Sequence, residues 1–187
     1  LSKSDQVSNL INRTIETFGR IDILVNNAGS GVLKELINTT EDDFDSMINS
    51  NLKSTFLCTK AVLPVMKKQK SGLIINISSE AGLDGFATYS VYCAAKFGVT
   101  GFSKSIANEL IHNNIKVCVI YPGDVNTPFM DKVPIDMDLM KKYDIEVLPR
   151  EKMLRPEDIA EAALFLAKLP KSVLIEDIKV LPYDTQN

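Results

Sequence analysis

The segment NISSEAGLDGFATYSVYCAAKFGVTG, Asn76 to Gly101, decides the fold. Leu73-Ile74-Ile75-Asn76-Ile77 is a short β-branched run between Gly72 and Gly82, the pattern of a buried strand. From about Ser90 the period becomes helical. Val91, Ala94, Ala95, Val99, Phe102, Ile106 and Leu110 recur at three- and four-residue spacing and define the core face. Tyr92 and Lys96 stand at i and i+4, so their side chains lie one above the other, about 6 Å apart along the axis. A phenol titrates near ~10 in water, and a cation held close lowers that value. The spacing therefore predicts a Tyr92 acidified by Lys96, able to trade a proton near neutral pH. Ser79, at the mouth of the adjoining strand, can reach the same point and hydrogen-bond a carbonyl oxygen. A solvated tyrosine–lysine pair is the plain alternative. Of the five tyrosines, however, only Tyr92 has a base four residues on.

Working outward, strand and helix alternate. Val7, Leu10, Ile11, Thr14, Ile15 and Phe18 make an amphipathic helix, with Ser4 as its cap and Gly19 as its terminator. Ile21–Val25 reads as a buried strand ending in Asn26-Asn27-Ala28-Gly29. Small residues there would let a flat ligand lie on the backbone, or simply make a turn. Thr40 caps a long helix whose first turn carries Asp42 and Asp43. Within it Asn51 interrupts an apolar pattern, and a buried amide needs partners. It either satisfies local backbone or holds water near the site. Pro64 should kink or shorten that helix.

Lys116–Tyr121 is a further strand, followed by Pro122-Gly123-Asp124-Val125-Asn126-Thr127-Pro128. Residues 129–150 mix methionine, phenylalanine and charge without clean period, and read as a mobile lid that shapes a hydrophobic substrate pocket. Pro156 opens another helix with Ile159, Ala162, Ala163, Phe165 and Leu166 inward. Asp177–Leu181 closes as a strand. The pattern gives a single α/β domain over 1–187 with a parallel sheet. In such sheets ligands gather beyond the C-terminal strand ends. The Asn26–Gly29 turn, Ser79 and Pro122–Thr127 all sit at such ends.

Composition bounds the function. With 45% apolar and 24% charged residues the chain suits a soluble globular protein, and a net charge of −3 offers no basic footprint for nucleic acid. No apolar run reaches the length of a membrane span. Cys58, Cys93 and Cys118 are widely spaced in apolar surroundings, which fits buried thiols in the cytoplasm rather than disulfides or a metal site. The single histidine, His112, falls near a helix C-terminus, where a dipole contact suits it better than catalysis.

Taken together, Asn26-Asn27-Ala28-Gly29, Asn51, Ser79, Tyr92-x-x-x-Lys96 and Pro122-Gly123-x-Val125-x-Thr127-Pro128 resemble the short-chain dehydrogenase/reductase family, in the family's order over nearly the whole chain. The resemblance implies a doubly wound, mostly parallel, Rossmann-like sheet and an oxidoreductase. Such an enzyme moves a hydride between NAD or NADP and a small-molecule alcohol or carbonyl. It also implies roles: Tyr92 as acid/base, Ser79 orienting the substrate oxygen, Lys96 on the ribose, and Asn51 holding a relay water. Asn26, Ala28 and Gly29 would flank the adenosine-side ribose; Pro122, Gly123, Val125 and Thr127 would line the nicotinamide.

Relative to that family, the N-terminal strands and the glycine-rich pyrophosphate turn are missing, so a partial domain is expected, with strand 21–25 as an apolar edge. A non-catalytic binding or regulatory protein on an incomplete fold is the competing expectation. Cys93, Phe97 and Gly101 lie off the core stripe of the Tyr92 helix. A helix apolar on more than one side is often buried on both, and family members pair through it, so a homo-oligomer (dimer or tetramer) is expected.

Overall fold

A computed structural model describes residues 1–132, 136–146 and 148–183. Its elements are α1 (Ser4–Phe18), β1 (Ile23–Asn26), α2 (Glu41–Met47), a π-helical turn (Ile48–Lys53), α3 (Ser54–Gln69), β2 (Gly72–Ile77), α4 (Ser90–Leu110), β3 (Ile115–Pro122), α5 (Pro128–Lys132), α6 (Met137–Lys142), α7 (Pro156–Lys168) and β4 (Asp177–Val180). The four strands form one parallel sheet in the order β1-β2-β3-β4. Each expected strand is present, with bounds displaced by one or two residues.

Continuous apolar runs in β2 and β3 follow from burial on both faces. Alternate residues point opposite ways. Ile74 and Val117 meet α1, α3 and α4 through Val7, Ile11, Val62, Met66, Ile106 and Leu110. Leu73, Ile75, Cys118 and Ile120 meet α7 through Leu166. The sheet is thus covered on both sides except at β1, where Ile23 and Val25 keep 44% and 46% of their surface exposed, the apolar edge that the sequence predicts.

Several local expectations need correction. Ser4 is the first helical residue rather than the cap; Lys3 precedes it without a side-chain cap bond. Gly19 does end α1, at φ 73°, with its N–H on Ile15 O. Pro64 neither ends nor shortens its helix, since α3 runs on to Gln69. Pro64 and Lys60, whose carbonyl loses its donor to the ring, are both on an exposed face. The irregularity lies earlier, at the π turn around Asn51. Ala94 is exposed, as is Phe165 at 52%, so the inward faces of α4 and α7 are narrower than the spacing implied.

Thr40 is a full capping box. Its hydroxyl accepts from Asp43 N at 3.1 Å, and Asp43 Oδ2 accepts from Thr40 N at 3.0 Å. Hydrogen bonds from Lys34 and then Thr40 hold the Asp43 carboxyl down at about 2. Thr40→Ala is expected to destabilise the chain by about 1 kcal/mol in urea unfolding. An unchanged midpoint would show that the cap contributes nothing measurable.

Candidate active site

β1, β2 and β3 all run the same way, so their C-terminal ends open on one side of the sheet. There the loops enclose a cavity of about 860 Å³. Gly29, Asn51, Ser79, Tyr92, Lys96, Pro122, Gly123, Val125 and Thr127 all line it. Asn26 and Ala28 do not; they border a separate cavity of about 100 Å³ at the end of β1. Asn26 is instead a sheet-anchoring amide. Its Nδ2 donates to Asn76 Oδ1 at 2.8 Å and Thr59 Oγ1 at 3.1 Å, and Asn76 Nδ2 donates to Ser103 Oγ at 2.7 Å.

Tyr92 and Lys96 both lie on the buried side of α4, with 8% and 6% of their surface exposed. The Ser79 hydroxyl lies against the Tyr92 phenol and draws its pKa down. Burial wins: the phenol is pushed up to about 12. The expected acidification by Lys96 is therefore overturned. Lys96 Nζ stands 5.6 Å from the centre of the Tyr92 ring and donates to Ile77 O at 3.0 Å. Its own pKa is lowered to about 8 by burial. Burial is the largest cause of both shifts, which the i,i+4 spacing alone does not reveal.

The scaffold beneath is tight. Ser78 Oγ donates to Lys96 O at 3.1 Å and meets Thr100 Oγ1 at 3.2 Å, while Thr100 Oγ1 donates to Gly82 O at 3.2 Å. A Cβ on Gly82 would fall 2.3 Å from Ser78 Oγ, so only glycine lets the loop after Ser79 close onto α4. Ser79 starts that loop, its Oγ accepting from Ala81 N at 3.2 Å.

Asn51 is buried in the π turn. Its Nδ2 donates to Ser30 O at 2.9 Å and Met47 O at 3.0 Å, and a side-chain donor inserted into the ladder is one cause of such widening. Its Oδ1 has no protein partner. A Cβ on Gly29 would lie 2.4 Å from that oxygen and 3.8 Å from Lys96 Nζ, so the three groups converge. Of the sequence alternatives for Asn51, the tie to backbone is the one seen, through Ser30 O and Met47 O.

Sequence reasoning missed part of the wall. Tyr89 stacks at a tilt on Tyr92 with ring centres 5.9 Å apart; it stands at the N-cap of α4, three residues before Tyr92, a spacing that could have found it. Phe129, from the expected lid, also packs on Tyr92, with ring centres 6.0 Å apart. α6 buries Met140 against Leu33, and Glu35 accepts from Lys142 Nζ and Tyr143 OH at 2.5 Å each. Nothing local marks Leu33 or Glu35. Residues 133–135 and 147 of the expected lid lie outside the described residues. Among the described residues no cluster of three or more metal-ligating side chains occurs.

A parallel sheet covered on both faces, with serine, tyrosine and lysine meeting at its C-terminal edge, is the frame of a dinucleotide-dependent enzyme class. The family model for short chain dehydrogenase matches residues 1–138, and the chain belongs to that family. It is 38% identical over 163 residues to a 3-oxoacyl-[acyl-carrier-protein] reductase, FabG, of Thermotoga maritima, covering 87% of this chain and 65% of that one. It is 43% identical over 164 residues to a (2S)-[(R)-hydroxy(phenyl)methyl]succinyl-CoA dehydrogenase subunit of Thauera aromatica, covering 86% and 63%. The chain thus spans somewhat under two thirds of the length of these relatives. A solved structure of serine dehydrogenase complexed with NADP+ aligns with TM-score 0.85 at 32% identity, over 100% of this chain and 74% of that one. One of ElxO with NADP bound gives 0.83 at 30%, over 99% and 76%.

Proposed function

We propose that this chain carries the catalytic half of an oxidoreductase that moves a hydride between NAD or NADP and an alcohol/carbonyl pair, with Tyr92 as the general acid/base. The observation that carries it is the meeting of the Tyr92 phenol and the Ser79 hydroxyl in one cavity, with Lys96 held beneath by Ile77 O.

A nicotinamide supplies the hydride when bound. The residues fit such a group. Gly29 leaves bare backbone beside Asn51 and Lys96. Lys96 has three donors, of which Ile77 O takes one, leaving two directions for ribose hydroxyls. Pro122, Gly123, Val125 and Thr127 supply the wall for the ring, and Asn26 and Ala28 border the smaller cavity toward the adenosine side. The solved relatives named with NADP support this assignment.

In the reducing direction Ser79 and Tyr92 both donate to the carbonyl oxygen. As charge builds on that oxygen, Tyr92 hands over its proton. A phenol held near 12 stays protonated at neutral pH, the state a donor to an alkoxide requires. The unsatisfied Asn51 Oδ1 holds the water through which the proton is replaced. The whole set favours catalysis over a binding role, which has no use for a phenol, hydroxyl, ammonium and amide converging together.

Ser79→Ala should lower kcat about 100-fold for reduction of a ketone, followed by loss of nicotinamide absorbance, because one donor to the developing oxyanion is removed. Retention of most of the rate would remove Ser79 from the reaction. Self-association through α3 and α4 also belongs to this proposal, supported by exposed Phe56 and Phe97 on those helices. Among the described residues no helix is long and apolar enough to cross a membrane. Cytoplasmic residence is proposed from the three buried free thiols.

A further inference from the structure

The cavity is one-sided in charge. Its inner wall is apolar, built by Leu33, Phe129, Met140 and Ile145 around Tyr92. Its rim carries three carboxylates, Glu80, Asp124 and Glu146. Among the described side chains that line it, Lys96 is the one cation, and it is buried, with one donor on Ile77 O and the other two assigned above to ribose hydroxyls.

The acids are not adventitious neighbours of the reacting groups. Glu80 follows Ser79 directly, and its Oε2 leans on Gly123, 2.9 Å from where a Cβ would stand. Its other oxygen pairs with Lys179 of β4 at 3.0 Å, which fixes the carboxylate in place. Asp124 adjoins Glu80 closely enough for the two charges to be felt, and it also acts on Tyr89, the ring stacked on Tyr92. Cations on neighbouring elements are engaged elsewhere: Arg150 with Asp131, and Arg155 with Asp158 at 2.9 Å. Lys179 offsets one of the three acids, so the rim keeps a negative balance.

Resting on the reading of the site as a carbonyl/alcohol oxidoreductase, we infer that its substrate has an apolar body with no negative charge near the reacting carbon, and that Glu80 and Asp124 turn anionic substrates away. A carbonyl seated on Ser79 and Tyr92 brings its neighbouring substituents under this rim. A neutral or ammonium-bearing substituent is accepted there; a carboxylate meets like charge with no described cation to receive it. Rejecting one partner through repulsion is a common device of specificity.

The test uses three ketones on one skeleton that carry their charge beside the reacting carbon: 4-phenylbutan-2-one, 1-amino-4-phenylbutan-2-one and 2-oxo-4-phenylbutanoate. Binding to the chain with NADP+ present is followed by saturation-transfer NMR, which needs no turnover. The neutral and cationic ketones should bind at least ~10-fold more tightly than the anionic one, a ratio worth about 1.4 kcal/mol. The double variant E80Q/D124N should bring the ratio within about threefold, by strengthening binding of the carboxylate. The exposed Glu146→Gln, which cannot disturb the core, should narrow it by a smaller step. Equal or tighter binding of the carboxylate by the unmodified chain overturns the inference. So does a ratio that none of these variants changes, or failure of all three ketones to bind. If the binding order appears but no ketone is reduced with NADPH or NADH, the proposed reaction falls and the charge preference stands.

Discussion

Tyr92→Phe is expected to abolish hydride transfer, with kcat reduced at least ~1,000-fold, while nicotinamide binding stays within a few-fold of the unmodified chain. The hydroxyl removed is the proton source for the nascent alkoxide, and general acid catalysis commonly contributes ~10²–10⁴-fold. The ring itself remains, so the tilted contacts with Tyr89 and Phe129 survive and the pocket keeps its shape. Loss of the phenol leaves the Ser79 hydroxyl facing carbon, a small change beside the missing proton. Stopped-flow absorbance of the reduced nicotinamide separates the two effects, because binding and turnover have different signals. A variant that kept even a tenth of the rate would show that another group delivers the proton.

The second large effect is on stability, and it runs against activity. Lys96→Met should stabilise the folded chain by about 2 kcal/mol at pH 7 while eliminating turnover. Burial lowers the Lys96 pKa from its ordinary 10.5 to about 8, so folding at pH 7 forces an ammonium into a buried site. That displacement corresponds to roughly 3 kcal/mol, less about 1 kcal/mol for the bond to Ile77 O that methionine cannot make. Between pH 8 and 10.5 the unfolded chain holds a proton that the folded chain has released. Unfolding therefore takes up a proton, and stability of the unmodified chain rises with pH across that window. Tyr92 acts in the opposite sense higher up. The folded chain keeps its phenolic proton to about 12 while the unfolded chain loses it near 10, so stability falls above pH 10. Urea unfolding of both proteins at pH 7 and 9.5 checks this. The gap between them should shrink at the higher pH. A gap that stays constant would mean that Lys96 enters the fold without penalty.

Much of the sheet was legible because strands buried on both faces are mostly apolar, and β2 and β3 are, with Asn76 and Lys116 as exceptions. The Thr40 cap and the Gly19 terminator were legible for another reason: each depends on residues within four positions. Where partners come from afar, reading failed. Leu33 lines the cavity and Glu35 holds Lys142 and Tyr143 at the end of α6, both from a loop whose placement no local pattern encodes. Asn26 sits in a turn motif that gives no hint of the bonds its Nδ2 makes to Asn76 on the neighbouring strand and to Thr59 of α3. The Tyr92–Lys96 pair was found correctly and its electrostatics mis-signed. Spacing reports that two groups are neighbours; it does not report how much water surrounds them.

The π turn at Ile48–Lys53 has a consequence for how this chain tolerates length change. Helical structure is unbroken from Glu41 to Gln69, with the wide turn in its middle. Removing a single residue there would let the segment rewind as one ordinary helix, with its caps and the packing of α3 intact. Each residue of an α-helix turns through about 100°, so the amide of residue 51 would swing away from Gly29 and Lys96. Such a deletion would spare the architecture and blind the site.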